Sequence, residues 1–319
     1  MASTLQFDKL KIIIARLDCI ADLDDKVFVT KISNDTILSK TYSRSDPNSL
    51  KIEVDYVHRN VKLDFTGKML GQRYYELITA SNIRYCLERI NALGLCRLNI
   101  DVILENGIVG ICDVTRDLHD CNMSLINNYI TRNLLSSKKW LWREYRNGYS
   151  LENNVTTTRS KRRLTVYDKE HEMQRDKNIK FLSELENPEL LRNHFKGCVR
   201  FEMNIVGYAA IRKLLGFREQ QATYLMDVLN AETNPILTMI TDATKEGELS
   251  TIKVKNLRDA DRLFALEKLD WDRKKVEAYV RSHLSKNTSF SKTFEPYSRL
   301  IDAHEHQTSN GFDLRKLLS

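Results

Sequence analysis

The feature that most limits what this chain can fold into is a two-residue rhythm in which one side is apolar and the other carries chemistry. In Cys198-Val-Arg-Phe-Glu-Met-Asn-Ile205, residues Val199, Phe201, Met203 and Ile205 fall on one side of an extended backbone, and Arg200, Glu202 and Asn204 on the other. Successive strand side chains point to opposite faces, so this spacing describes a strand with one face on a core. Arg163, Thr165, Tyr167 and Lys169 alternate in the same way with Leu164 and Val166. In Gly110-Ile-Cys-Asp-Val-Thr-Arg-Asp117 the carboxylate of Asp113 interrupts an apolar run.

The neighbouring sequence extends this pattern. Strands are expected at Lys9–Ile14, Arg73–Thr79 and Ile108–Thr115, with a hairpin of Leu50–Val57 and Asn60–Phe65 turning near His58–Asn60. A polar loop is expected around Ser43–Asn48. Helices are expected at Asn82–Leu93, where Ile83, Leu87 and Ile90 share a face before Gly94, and at Met123–Leu135. Asn187-Pro188-Glu189 reads as a cap, a first-turn proline and an acid opening a further helix. Hairpin-like neighbours without βαβ repeats point to an α+β class, an antiparallel sheet with packed helices. From Tyr208 onward the pattern is helical, at Ile211–Leu215, Gln220–Leu229, Asn256–Leu269, Asp272–Leu284 and beyond Ser291. Two parts are therefore expected, an α+β domain over 1–207 and an all-helical region over 208–319.

Charge bears on the partner. The 319 residues carry 50 Lys and Arg against 43 Asp and Glu, a formal +7. Between Thr131 and Arg175 eleven basic residues face five acidic ones, interleaved with Trp140, Trp142, Tyr145 and Tyr149. Such a stretch can pair with phosphates and stack bases, and it serves equally as a solvated basic face. No apolar run is long enough to span a membrane, and no signal peptide is visible. The six cysteines lie far apart without a CxxC pair, which fits reduced thiols in a cytoplasmic protein better than a zinc site or a disulfide framework.

A tyrosine and a lysine framed by Arg159, Lys161, Arg162 and Arg163 form a plausible place to break or rejoin a phosphodiester. The phenol of Tyr167 is the candidate nucleophile, and the cations hold the phosphate. If the three alternating strands are neighbours, Asp113 and Glu202 come beside Tyr167 and could hold Mg²⁺ or Mn²⁺, which prefer hard oxygen ligands. The same alternation also suits a half-exposed sheet with a solvated polar face, and strand tyrosines often serve packing. A water-using nuclease built on Asp113, Glu202 and Lys169 stays open as well. No GxxxxGK[ST], GxSxG or HExxH occurs, so a nucleotide-driven motor is not expected.

Together these residues resemble a known family, the replication initiators of filamentous phages (gene II/X type) and of small rolling-circle plasmids. The likeness is densest from Glu152-Asn-Asn-Val-Thr through Arg162-Arg-Leu-Thr-Val-Tyr-Asp-Lys-Glu-His-Glu172 to Asn187-Pro-Glu-Leu-Leu191. It continues into Val199-Arg-Phe-Glu202 and Leu214-Leu-Gly216, with fainter likeness at Tyr75–Ile78 and Cys112–Thr115. The ordered pair is a Tyr-x-Lys-x-x-Glu strand followed by Val-Arg-Phe-Glu. Two departures stand out: Ile111 replaces an arginine common among relatives, and Asp168 an apolar residue.

The resemblance implies a site-specific endonuclease and strand transferase that nicks an origin through a 5′-phosphotyrosyl link and later rejoins the displaced strand. Tyr167 matches the nucleophile; Lys169 is carried over as a second catalytic residue, Asp113, Glu202 and Glu172 as metal ligands, and Arg200 joins Arg159, Lys161, Arg162 and Arg163 as DNA-binding. Implied partners are origin DNA, as single-stranded or supercoiled plus strand, and a host helicase and polymerase. A mobilisation relaxase or transposase with the same chemistry, and a non-catalytic origin-binding regulator, are the rival readings. Basic residues of the helical region, among them Arg273, Lys274, Lys275, Arg281, Lys286, Lys292 and Arg299, are expected either to grip duplex DNA or to form a solvated face.

Overall fold

The computed structural model describes residues 5–119, 121–135, 138–154, 162–244, 257–285, 288–308 and 314–319. The strands are β1 (Gln6–Ile14), β2 (Ile20–Ala21), β3 (Val29–Ser33), β4 (Thr36–Arg44), β5 (Leu50–Asp55) and β6 (Asn60–Thr66). They continue with β7 (Arg97–Leu98), β8 (Ile108–Leu118), β9 (Trp140–Tyr145), β10 (Gly148–Asn153), β11 (Arg163–Asp168) and β12 (Val199–Val206). All but β2 and β7 join one 10-stranded sheet in the order β3-β4-β5-β6-β1-β8-β12-β11-β10-β9. Its neighbours pair antiparallel, as the α+β reading expects.

Alternation decides which side is core. Ile52, Leu63, Ile12 and Val109 lie side by side across four strands, and all are fully buried. Leu164 and Val166 continue that face through Met203 and Phe201. The helices are α1 (Ile83–Asn91), α2 (Ile100–Asn106), α3 (Met123–Asn133), α4 (Lys169–Met173), α5 (Asp176–Ser183) and α6 (Pro188–Phe195). They are followed by α7 (Tyr208–Leu215), α8 (Leu225–Leu229), α9 (Pro235–Ala243), α10 (Leu257–Lys268), α11 (Arg273–Ser282), α12 (Phe290–Thr308) and α13 (Leu314–Leu318). Ile83, Leu87 and Ile90 bury one face of α1, as their spacing requires.

The chain divides into two compact units, Met1–Lys245 with Arg315–Ser319, and Glu246–Leu314. The division thus falls later than residue 208. The reason is packing: α7, α8 and α9 bury Ile211, Leu215, Leu225, Val228, Ile236, Met239 and Ile240 and pack on β8 or β12. Without them, apolar surface of the sheet would meet water. The final turn also belongs to this unit, where Asn234 Nδ2 donates to Leu318 O at 2.8 Å. In the second unit, α10, α11 and α12 enclose Leu266, Val276, Val280, Leu300 and Ile301.

Several local expectations differ from the structure. Arg73–Thr79 is not a strand; a 3-10 segment, Gly67–Glu76, occupies most of it, bent at Gly71. Arg73 and Glu76 form a two-point pair (Nε–Oε1 2.8 Å, Nη2–Oε2 2.7 Å), which residues three apart can make on a helical turn but not across the two faces of a strand. Asn187 does not cap α6 with its side chain. Its backbone is instead held by Gln72, through Nε2 to Asn187 O at 2.6 Å and Asn187 N to Oε1 at 3.0 Å. The hairpin of β3 and β4 turns through Asn34 and Asp35, both at positive φ (46° and 58°), the conformation of a primed two-residue turn. Among the described residues, no helix is long and apolar enough to cross a membrane. All six cysteines are buried.

Candidate nucleic-acid cleavage site

The polar face of the sheet is assembled by register. Gly148, Tyr167, Arg200 and Asp117 stand in one row across β10, β11, β12 and β8. The next row is Ser150, Thr165, Glu202 and Thr115. In the third, Glu152 faces Arg163 and Asn204 faces Asp113. The three alternating segments are therefore neighbours, with their polar sides on a common face.

Strand β11 ends where the chemistry begins. The Asp168 carboxylate accepts from His171 N at 2.9 Å and caps α4, so Lys169 opens a helix instead of continuing the strand. This explains the Tyr-x-Lys-x-x-Glu spacing. One helical turn brings Glu172 back to Lys169, whose buried Nζ lies 2.8 Å from Oε2 and donates to Tyr74 Oη at 3.0 Å. Burial opposes ionisation of Glu172, yet the Lys169 charge and hydrogen bond bring its pKa down to about 2. With Lys177 3.6 Å from its other oxygen, Glu172 is held in an ion-pair cluster.

Tyr167 lines a cavity of about 550 Å³ together with Asp8, Tyr145, Lys169, Glu172 and Glu202. Its hydroxyl donates to Glu202 Oε2 at 2.9 Å. Burial raises the Tyr167 pKa well above the usual phenol value, the Glu202 charge adds to that, and Arg200 opposes it. The Glu202 carboxyl is likewise raised, by burial first and then by Asp8 and Asp113. A phenol bonded to a carboxylate that holds a proton more readily than usual is a donor–acceptor pair suited to proton transfer.

Arg200 occupies a place the sequence did not indicate. It is fully buried, gripping Asp117 through Nε–Oδ1 and Nη2–Oδ2, both 2.7 Å, and Tyr74 Oη through Nη1 at 3.0 Å. It thus orders the floor of the site and is not a surface contact for DNA. Arg162 lies 5.4 Å from the Trp140 ring centre and 3.4 Å from Asp242. Arg163 is exposed and 3.4 Å from Glu152. Both line a groove of about 860 Å³ that shares Thr165 and Glu202 with the first cavity and is also lined by Lys213. Arg159 and Lys161 lie outside the described residues. Of the aromatics in the basic stretch, Trp142 and Tyr149 stack on each other, 4.9 Å between centroids.

Asp113 does not line the cavity. It accepts from Asn204 Nδ2, and burial, only partly offset by that bond, raises its pKa to about 6. Asp8, which the sequence reading passed over, does face the cavity; its Oδ1 is buried without a hydrogen bond, 3.4 Å from Arg200 Nη1. A bulge in β1 between Phe7 and Lys9 puts it there. The detectable sign is that Phe7 and Leu10 are both buried although three apart, which breaks the two-residue rhythm. Tyr74 has no local sign at all, because its hydroxyl partners come from positions 169 and 200.

Among the described residues, no three His, Cys, Asp or Glu side chains are grouped to hold a metal ion. Asp8 and Glu202 nevertheless suit a cation that keeps water and phosphate oxygens in most of its shell, as Mg²⁺ does, because one has an oxygen without a hydrogen bond and its charge raises the cost of charging the other. Comparison with known protein families, with curated proteins and with solved structures gives no match.

Proposed function

We propose that this protein nicks and rejoins DNA through Tyr167, as a rolling-circle replication initiator acting in the cytoplasm. The observation that carries the reading is the 2.9 Å hydrogen bond from the Tyr167 phenol to Glu202 at the wall of a cavity bordered by cationic side chains. In the forward step the phenolic oxygen attacks the phosphorus, its proton passes to Glu202, and the 3′-oxygen of the preceding nucleotide departs and takes up a proton. The products are a 5′-phosphotyrosyl link and a free 3′-hydroxyl, which a host polymerase extends behind a helicase. The covalent ester conserves the energy of the broken bond, so the reverse attack by a 3′-hydroxyl rejoins the strand without a nucleotide.

Tyr74, Lys169 and Arg200 position this pair from below. Lys169 neutralises Glu172 and Arg200 neutralises Asp117, so the carboxylate nearest the phenol is left as the proton acceptor. Mg²⁺ or Mn²⁺ on Asp8 and the second oxygen of Glu202 would supply charge neutralisation to the phosphate. The substrate strand is proposed to run along the groove past Arg163 and Lys213.

The test incubates the protein with Mg²⁺ or Mn²⁺ and labelled single-stranded oligonucleotides tiling a candidate origin. A denaturation-resistant protein–DNA band that Tyr167→Phe abolishes supports the reading. Cleavage without attached protein points instead to a water-using nuclease, and an unaltered protein that binds DNA without cleaving it, with Tyr167→Phe behaving identically, points to a regulator. A relaxase or transposase would form its adduct on a transfer origin or an element end.

A further inference from the structure

Two cations at the rim of the Tyr167 cavity are unaccounted for by the chemistry above. Lys68, in the 3-10 segment, lines the cavity, and no carboxylate oxygen of a described residue lies within 4.0 Å of its ammonium group. Its contacts are the Pro47 carbonyl at 3.5 Å and the face of Phe181, 5.2 Å from the ring centre. Burial lowers its pKa to about 8, with Glu172 pulling the other way. Glu172 itself is already taken by Lys169 and Lys177. Arg175, between α4 and α5, lines the same cavity; its guanidinium faces the Asn147 side-chain amide, whose oxygen accepts from it when the amide is turned to satisfy both groups, and, among the described residues, it meets no carboxylate. By contrast Lys169, Lys177 and Arg200 are each paired with an acid.

A half-buried ammonium group without a counter-charge is costly, and a protein usually covers it with a carboxylate unless an anion is to arrive. We propose that Lys68 and Arg175 form the anion subsite of the cavity and bind a phosphodiester of the strand that Tyr167 attacks. The subsite takes a singly charged, non-bridging phosphate oxygen pair: Lys68 supplies a compact point charge and Arg175 a planar fork. This rests on the nicking function proposed above and adds the residues that hold its substrate. Lys68 is not signalled by the sequence, because it lies about 100 positions from the tyrosine it serves, whereas Arg175 closes the basic stretch around that tyrosine.

The experiment measures binding of fluorescein-labelled dT12 to the full chain carrying Tyr167→Phe, by anisotropy over a series of KCl concentrations. Each lost phosphate contact on a single strand lowers the slope of log K against log[salt] by about 0.7. Lys68→Met, which keeps the stem over Phe181, and Arg175→Gln are each expected to lower the slope by about that amount, with Lys68→Arg restoring it. An unchanged slope in both overturns the assignment. As a check that needs no variant, amine acylation of Lys68 read by mass spectrometry is expected to slow several-fold when dT12 is bound; equal labelling with and without dT12 overturns the assignment too. The two proposals fail separately. An adduct at Tyr167 with unchanged slopes sinks only the subsite, whereas lowered slopes without any adduct sink the nicking function and leave a phosphate-binding cleft.

Discussion

Replacing Arg200 with methionine separates a floor residue from a DNA contact. Its guanidinium is fully buried and makes three short bonds, two to Asp117 and one to Tyr74. Arg200→Met keeps the aliphatic bulk but strands the Asp117 carboxylate, while the Tyr74 hydroxyl keeps only its bond from Lys169. An unpartnered buried polar group costs about 1–3 kcal/mol, and breaking a buried pair from one side about 3–5 kcal/mol. At about 2–4 °C per kcal/mol for a unit of this size, the thermal midpoint falls by roughly 6–20 °C at pH 7.

The sign with pH is fixed by Asp117. Burial opposes its charge, but Arg200 overrides burial and holds its pKa below the usual 3.8. In the native protein this contribution is present above that value and is lost as pH falls through the lowered pKa. In Arg200→Met the lone carboxylate is pushed upward instead, so it protonates on mild acidification and the deficit relative to wild type shrinks towards pH 4. Asp117→Leu added to Arg200→Met removes the stranded charge and recovers most of the loss. Urea or thermal unfolding of the three proteins at pH 7 and pH 4 measures all of this. A loss under about 1 kcal/mol, or one that does not diminish in acid, refutes the reasoning.

Other consequences follow from the same geometry. Glu202 must be ionised to accept the phenolic proton, and its pKa is raised, so the acid limb of the pH–rate profile for adduct formation lies above the value near 4.3 of a free glutamate. Glu202→Gln abolishes adduct formation while raising stability at pH 8 relative to pH 4, because it removes a buried charge beside Asp8 and Asp113; an active Glu202→Gln protein ends its role as base. Gly216 closes α7 at φ 78°, where an added Cβ would stand 2.5 Å from Thr233 Oγ1. Gly216→Ala is therefore expected to cost at least about 1 kcal/mol in urea unfolding, and a neutral result would mean that this turn rearranges freely.

How much of this was legible in the sequence depends on how local each signal is. The hairpin of β5 and β6, helix α1 and the strands β8, β11 and β12 were all marked by apolar periodicity within a few residues. The β3 and β4 hairpin was not, because most of its side chains are exposed and carry no buried-to-exposed rhythm. Helix α9 was missed although Asn234-Pro235 repeats the opening seen at Asn187-Pro188, and here the side chain does cap, accepting from Ile236 N and Leu237 N at 3.1 Å each. Tyr74 falls within Arg73–Thr79, the segment expected as a strand and found as a 3-10 turn. Its true position is set by Arg200 and Lys169, far along the chain.

The sequence by itself determined that this is an antiparallel α+β protein and which faces of β11 and β12 are polar, since side-chain direction in a strand follows from backbone geometry alone. It also determined that Tyr167 and Glu202 point to the same side if their strands pair. Only the tertiary structure decided that they do pair, in the register that sets Thr165 opposite Glu202 and brings the phenol within a hydrogen bond of that carboxylate. It alone buried Arg200, moved Asp8 into the cavity through a bulge and left Lys68 without an acid among the described residues. Those outcomes depend on register, on one extra residue in a strand and on charges meeting across long stretches of chain, none of which a local pattern encodes.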